Sequence, residues 1–342
     1  MRYKLLGKSG LRVSELCLGT MTFGMEWKWG SSKAESRKVY DAFRAAGGNF
    51  IDTADLYTNG TSERFLGDFM AGHRGQVVLA TKYTLSNPGK DPNAAGNHRK
   101  NMMQSVEASL ERLKTDYLDL YWLHIWDFMT PVEEVMRAFD DLVRQGKVLY
   151  VGISDTPAWV VARANTLAEL RGWTPFAALQ VEYNLIERTP ERELLPMARA
   201  LDLAVTPWSP LAGGILSGKY LKKAGPGREA KRGMQPDERK TRISRAVVEV
   251  GKDIGRSPSQ VALAWLRQQP GVVIPIIGAR TAAQLKDNLG SVDFSREGPH
   301  LKRLDEASRI ELGFPHDFFT LETVRGFTYG GMFDRIDCHR TR

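Results

Sequence analysis

Four ionisable side chains of different types stand near the ends of short apolar runs: Asp52 closing N-F-I-D, Lys82 just beyond V-V-L-A-T, His124 closing Y-L-D-L-Y-W-L-H, and Tyr57 five residues after Asp52. Together they can do acid–base work on a carbonyl group. A lysine ammonium beside a phenol stabilises the phenolate and draws the tyrosine towards neutrality, while a carboxylate keeps the lysine charged and in place. A histidine then orients or polarises the carbonyl oxygen. The set suits hydride addition, because the alkoxide that develops must be protonated at once. Singly, each residue has a plain structural explanation as helix cap, surface lysine, packed loop tyrosine or structural histidine. Their joint placement favours a site.

The elements that must position them follow a regular pattern. L-C-L-G (16–19), N-F-I-D (49–52), V-V-L-A-T (77–81), Y-L-D-L-Y-W-L-H (117–124), V-L-Y-V-G-I-S (148–154), A-L-Q-V-E (178–182), L-A-V-T-P (203–207) and V-V-I-P-I (272–276) read as strands apolar on both faces, the mark of a buried parallel sheet. Helical stretches are expected at 32–46, 62–70, 101–113, 131–145, 157–170, 192–200, 244–254 and 281–288. Thr130-Pro131 and Thr156-Pro157 read as a capping residue followed by a proline at the first helical position, and Gly47, Gly146 and Gly172 follow helix ends. Eight such repeats predict an α/β chain folded as a (β/α)8 TIM barrel, with catalytic groups at the C-terminal ends of its strands. A doubly wound sheet is disfavoured because no G-x-G-x-x-G follows the first strand. Gly7 and Gly10, between two short apolar runs, predict an N-terminal hairpin capping the barrel bottom. Residues 1–342 are then a single domain, carrying a basic loop at 219–240 and a C-terminal extension from about 301.

Composition excludes several classes. Of 342 residues, 42% are hydrophobic and 26% charged, enough apolar material for a large core and too little bias for a disordered or fibrous chain. No run approaches the roughly 18 apolar residues of a membrane span, so no membrane association and a cytoplasmic location are expected. Cys17 and Cys338 are too few for a disulfide framework and read as reduced thiols; His124 is the one histidine at a strand end, so no metal is expected. The net charge of +8 is concentrated between Lys219 and Lys240, where eight basic residues face three acidic ones in a loop without interleaved aromatics. That pattern suits a flap attracting an anionic ligand rather than a nucleic-acid surface.

The stretch N-F-I-D-T-A-D-L-Y-T-N-G-T-S-E-R-F-L-G (49–67), with L-A-T-K (79–82) and Y-W-L-H (121–124), resembles the aldo-keto reductase superfamily, and the resemblance runs from Leu5 to about Leu289. It implies the catalytic tetrad Asp52, Tyr57, Lys82 and His124, with Tyr57 as proton donor. It also implies a nicotinamide dinucleotide lying extended across the barrel mouth. Gly19, Thr20, Met21 and Asp52 would contact it, and Ser154, Asp155 and Gln180 would hold its carboxamide, although many similar proteins have asparagine where this chain has Asp155. Trp208 would stack on the nicotinamide, with Ser209, Leu211 and Gly213 along the pyrophosphate. Gly278, Ala279 and Arg280 at a helix N-terminus would receive a 2′-phosphate, so that NADPH is preferred over NADH. Gln284 and Asn288, on one helix face, would meet the adenine. Trp27 and Trp126, helped by Met25, Trp29, Phe318, Phe319 and Phe327, would wall an apolar pocket for an aldehyde or ketone. The same resemblance leaves open a cofactor-binding interaction module of the potassium-channel β-subunit type, which the absence of a long segment before Leu5 disfavours. Oligomeric state is not legible.

Overall fold

Strands that are apolar on both faces must be covered on both, and a sheet closed on itself does this with its own interior on one side and helices on the other. The computed structural model, which describes residues 1–87, 89, 91–221, 237–293 and 299–337, realises that solution. β1 (Tyr3–Leu5) and β2 (Arg12–Ser14) form an antiparallel hairpin; β3 (Cys17–Gly19), β4 (Phe50–Asp52), β5 (Val78–Tyr83), β6 (Leu118–Leu123), β7 (Val148–Ser154), β8 (Phe176–Glu182), β9 (Ala204–Trp208) and β10 (Ile276–Gly278) follow in one all-parallel sheet of order β10-β3-β4-β5-β6-β7-β8-β9. The chain is a (β/α)8 barrel.

The last strand differs from expectation. Residues 272–274 bond to β9, with the Val205 amide donating to the Val272 carbonyl (2.7 Å) and the Ile274 amide to the Val205 carbonyl (2.8 Å), and this bridge closes the barrel. Pro275 then interrupts the ladder because it has no N–H, and the paired strand runs over Ile276–Gly278 against β3.

The helices are α1 (Lys33–Ala45), α2 (Thr61–Phe69), α3 (Arg99–Leu113), α4 (Val132–Arg144), α5 (Ala158–Arg171), α6 (Leu194–Ala200), α7 (Glu238–Asp253), α8 (Pro258–Arg267), α9 (Ala282–Leu289), α10 (Pro299–Ser308), α11 (His316–Thr320) and α12 (Glu322–Thr328). Val135, Ala138, Phe139 and Leu142 of α4, at the i, i+3, i+4, i+7 spacing of a helix face, are all buried. Pro131 and Pro157, however, occupy the N-cap rather than the first helical turn, and the threonines before them bond elsewhere: Thr130 donates to Asp127 and Thr156 to the Ser154 carbonyl. α7 begins at Glu238 rather than 244, because Asp237 accepts from the Lys240 amide and starts the helix two turns early. The distal end of the expected basic loop is therefore helical, its proximal end (Lys219–Leu221) a 3-10 turn, and 222–236 lies outside the described residues, as does Cys338. α8 is a helix the periodic pattern does not announce. Among the described residues no helix is long and apolar enough to cross a membrane.

The two-residue period of a strand decides what enters the barrel. Cys17, Phe50, Val78 and Ala80, Leu120 and Trp122, Ala178 and Ala204 fill the interior, while Leu18, Ile51, Leu79, Tyr121, Val151 and Leu179 pack outward onto the helices. Leu6 and Val13 of the hairpin join the interior set and close its lower end. A Cβ at Gly152 would come within 2.3 Å of the Trp122 ring, so glycine there makes room for the indole. Continuing the same alternation one step towards the strand ends brings Asp52, Lys82, His124, Ser154 and Gln180 to the upper opening.

Candidate active site

Lys82 is fully buried, and its ammonium has three acceptors: Asp52 Oδ2 at 2.5 Å, the Thr53 carbonyl at 2.8 Å and the Tyr57 hydroxyl oxygen at 3.2 Å. Gln180 Nε2 donates to the other Asp52 oxygen at 3.2 Å, so both carboxylate oxygens are engaged. Burial pulls the lysine down, but Asp52 and Tyr57 outweigh it and hold the ammonium above the ordinary lysine range. Burial likewise raises Asp52 against the pull of Lys82.

Tyr57 departs from the sequence-based expectation. Burial pushes its phenol above the usual tyrosine range, and Lys82 offsets that only in part. The phenol stays protonated at neutral pH; its oxygen accepts from Lys82 and its hydrogen is left to donate. Burial and the Lys82 charge together hold His124 well below the ordinary histidine range, so its ring is neutral. The Tyr57 ring meets His124 edge-on with centroids 6.0 Å apart and Trp27 edge-on at 6.3 Å. It is placed by a 3-10 turn (Tyr57–Gly60) in which Thr58 and Asn59 are left-handed, with the Thr58 hydroxyl donating to the Phe23 carbonyl at 2.6 Å.

Beneath this turn lies a second set of buried charges. Glu63 is fully buried, paired with Arg112 at 2.6 Å and accepting from the Thr81 hydroxyl at 2.6 Å. Burial and the nearby Glu63 push the Asp55 carboxyl up to about 8, and its Oδ1 is buried without a hydrogen-bond partner. An acid raised in the folded state binds more protons folded than unfolded, so its contribution to stability falls as pH rises from about 4 to about 8. Asp55→Asn removes that loss. The variant is expected to gain on the order of 2 kcal/mol over wild type at pH 8 and nearly nothing at pH 4, as checked by urea unfolding at both pH values.

Above the tetrad opens a cavity of about 620 Å³. Of the residues expected to bind cofactor, Gly19, Met21, Asp52, Ser154, Asp155, Gln180, Trp208, Ser209, Leu211, Gly213, Gly278, Arg280, Gln284 and Asn288 line it, as do Tyr57, His124 and Trp27. Thr20 does not; it is fully buried and its hydroxyl donates to the Asp52 carbonyl at 3.0 Å. Trp126 lies in the core beside β6 instead of on the cavity wall. Met25, Trp29, Phe318, Phe319 and Phe327 are also absent from the lining. Lys219, the first residue of the expected basic loop, lines it, and so do Ser259 and Asp287, which were not expected; Ser257-Pro258, a cap followed by proline at the start of α8, was the available signal for that wall.

The donor set suits an elongated anionic ligand with one amide-bearing end. Near the tetrad, Ser154 Oγ is buried without a partner. Along the middle, Ser209, Ala212, Gly213 and Gly214 all have positive φ and curl the backbone round the cavity, a conformation that glycine takes without strain. The cations Lys219 and Arg280 line it as well. Arg280 directly precedes Thr281, the cap of α9, and its amide donates to Gln284 Oε1 at 2.9 Å.

Trp27 rides on the loop that follows β3. Its neck is closed by Gly24 N–H to the Ser31 carbonyl (3.0 Å) and Ser31 N–H to the Thr22 carbonyl (2.7 Å). One side is bound to the Tyr57 turn through Thr61 donating to Glu26 at 2.5 Å. The other is bound to the strand-end segment at 279–280, where Thr22 and Ser31 donate to the Ala279 and Arg280 carbonyls at 2.9 and 2.8 Å.

The sequence model described as the Aldo/keto reductase family matches residues 15–309. A norsolorinic acid reductase of Emericella nidulans is 42% identical over 321 residues, covering 91% of this chain and 82% of its own length. A norsolorinic acid reductase of Aspergillus flavus is 38% identical over 92% of this chain and 82% of its own length. An aryl-alcohol dehydrogenase [NADP(+)] of Phanerodontia chrysosporium is 39% identical over 91% of this chain and 86% of its own length.

Proposed function

Since this chain belongs to the aldo/keto reductase family, we propose that it is an NADP-dependent oxidoreductase that interconverts aromatic aldehydes or ketones and their alcohols, with Tyr57 as the proton donor. The observation that carries this is the Tyr57 hydroxyl oxygen 3.2 Å from a fully buried lysine, beneath a cavity of about 620 Å³. A bound nicotinamide supplies or accepts the hydride. The protein's own groups do the rest: Tyr57 gives its proton to the carbonyl oxygen, Lys82 steadies the phenolate left behind, Asp52 holds Lys82, and neutral His124 orients the oxygen.

Ser154 and Gln180 would hold the carboxamide, Trp208 would cover the ring, the 209–214 segment would follow the pyrophosphate, and Arg280 would pair with the 2′-phosphate. Trp27, Leu56 and Leu85 supply an apolar wall beside Tyr57 that suits an aromatic body, in keeping with the names of the relatives. The test is cofactor oxidation with a reactive aromatic aldehyde, NADPH and NADH in parallel. Turnover preferring NADPH is expected; no turnover while NADPH binds would overturn the reductase reading. The phosphate assignment has its own check. Arg280→Ala is expected to raise KM for NADPH by about ten- to hundredfold and to move KM for NADH by less than about twofold; equal effects on both would remove Arg280 from that role.

A further inference from the structure

We propose that the Asp155 carboxylate makes the cavity hold the oxidised, cationic nicotinamide more tightly than the reduced, neutral one. The proposal rests on the cofactor reading above. Asp155 follows the end of β7 at φ 42°, a left-handed conformation that aspartate tolerates, with its amide donating to the Gln180 carbonyl at 3.2 Å. Its Oδ1 accepts from the Trp208 indole N–H at 3.0 Å, and both side chains line the cavity.

Among the described residues Asp155 makes no ion pair, and the cation that acts on it through space, Lys82, is already held by Asp52. Asp52 and Lys82 neutralise each other at 2.5 Å. Tyr57 and His124 are uncharged, held so by burial. Arg280 and Lys219 also line the cavity, but neither is among the charges that act on the Asp155 carboxyl. Asp287, also on the lining, is occupied by Ser257 and Gln260 at 3.0 and 3.2 Å. Burial raises the Asp155 carboxyl, and the indole hydrogen bond and the Lys82 charge favour the ionised form in opposition.

Hydride transfer fixes where the nicotinamide must sit. The substrate oxygen has to lie within hydrogen-bond reach of Tyr57, and the ring carbon within roughly 3–3.5 Å of the carbon it reacts with. Asp155 and the indole it anchors form the adjoining wall of the same space. The two redox states of the ring have nearly one shape and differ by one positive charge, so a fixed carboxylate discriminates between them by Coulomb attraction alone. Its consequence is a bias towards carbonyl reduction on the protein, whose product complex carries the favoured cationic ring: the carbonyl carbon takes a hydride from the ring, its oxygen takes the Tyr57 proton, and the alcohol is left with the oxidised cofactor. Asparagine at this position would accept the same indole hydrogen bond without the charge.

Calorimetric titration of the whole protein with NADP+ and with NADPH tests this without turnover. In Asp155→Asn the affinity for NADP+ relative to NADPH is expected to fall about fivefold. Trp208→Phe removes the indole donor but keeps the charge, and is expected to retain the wild-type preference. An unchanged or reversed ratio in Asp155→Asn, with NADPH still bound, would overturn the proposal. Failure of the wild-type protein to bind either form would instead remove the cofactor reading beneath it.

Discussion

Tyr57→Phe is expected to bind NADPH as wild type does and to lose about 10² to 10⁴ of kcat. The substitution removes one oxygen and leaves the ring between Trp27 and His124, so the wall of the cavity keeps its shape. Lys82 loses one of its three acceptors but keeps Asp52 and the Thr53 carbonyl. What disappears is the phenol hydrogen that would be given to the substrate oxygen. His124 is no substitute, since burial and the neighbouring ammonium keep its ring unprotonated. Single-turnover kinetics with an aromatic aldehyde, beside calorimetric NADPH binding, reads the two effects separately. A turnover within a few-fold of wild type would assign the proton to another group.

Lys82→Met is expected to abolish turnover and also to destabilise the fold by on the order of 3–5 kcal/mol at pH 8. Methionine fills the space of the stem, but Asp52 is left as a buried carboxylate with one Gln180 amide for company. Without the ammonium that opposes burial, the Asp52 carboxyl rises further above its unfolded range, so the variant binds a proton folded that it does not hold unfolded. Stability is then lost as pH rises through that interval, and the deficit relative to wild type is larger at pH 8 than at pH 5. The double variant Asp52→Asn, Lys82→Met removes both charges and is expected to be more stable than Lys82→Met alone. Thermal unfolding of the three proteins at both pH values checks this; a deficit independent of pH would mean that lost packing, not the stranded carboxylate, is responsible.

How far the sequence could be read depended on which interactions are local. Seven strands of the barrel were visible because burial on both faces leaves an unbroken apolar run, and the inward positions of Asp52, Lys82 and His124 follow from the two-residue period. The eighth was displaced because a bridge to β9 and a pairing with β3 sit on either side of Pro275, and only the three-dimensional closure separates them. α8 was missed for the opposite reason to the rest: Val261 to Leu266 are all buried, so the helix has no polar face to betray its period. Trp126 stands two residues past His124, but the strand has already ended there. Asp127 accepts from the Asn97, Met129 and Thr130 amides, and the loop folds back and turns the indole into the core. The protonation of Tyr57 was out of reach for a different reason. The sequence shows that Lys82 is near, but not how much water both have lost.

The loop carrying Trp27 ends in fastenings to two distant parts of the opening, the tyrosine turn on one side and the residues around Arg280 on the other. The surface that would select a substrate and the surface that would select a dinucleotide are thus one inheritable piece. A relative cannot exchange the first by recombination without disturbing the second, and diversification of substrates in such a barrel has to proceed by changing side chains on a loop whose path is already committed.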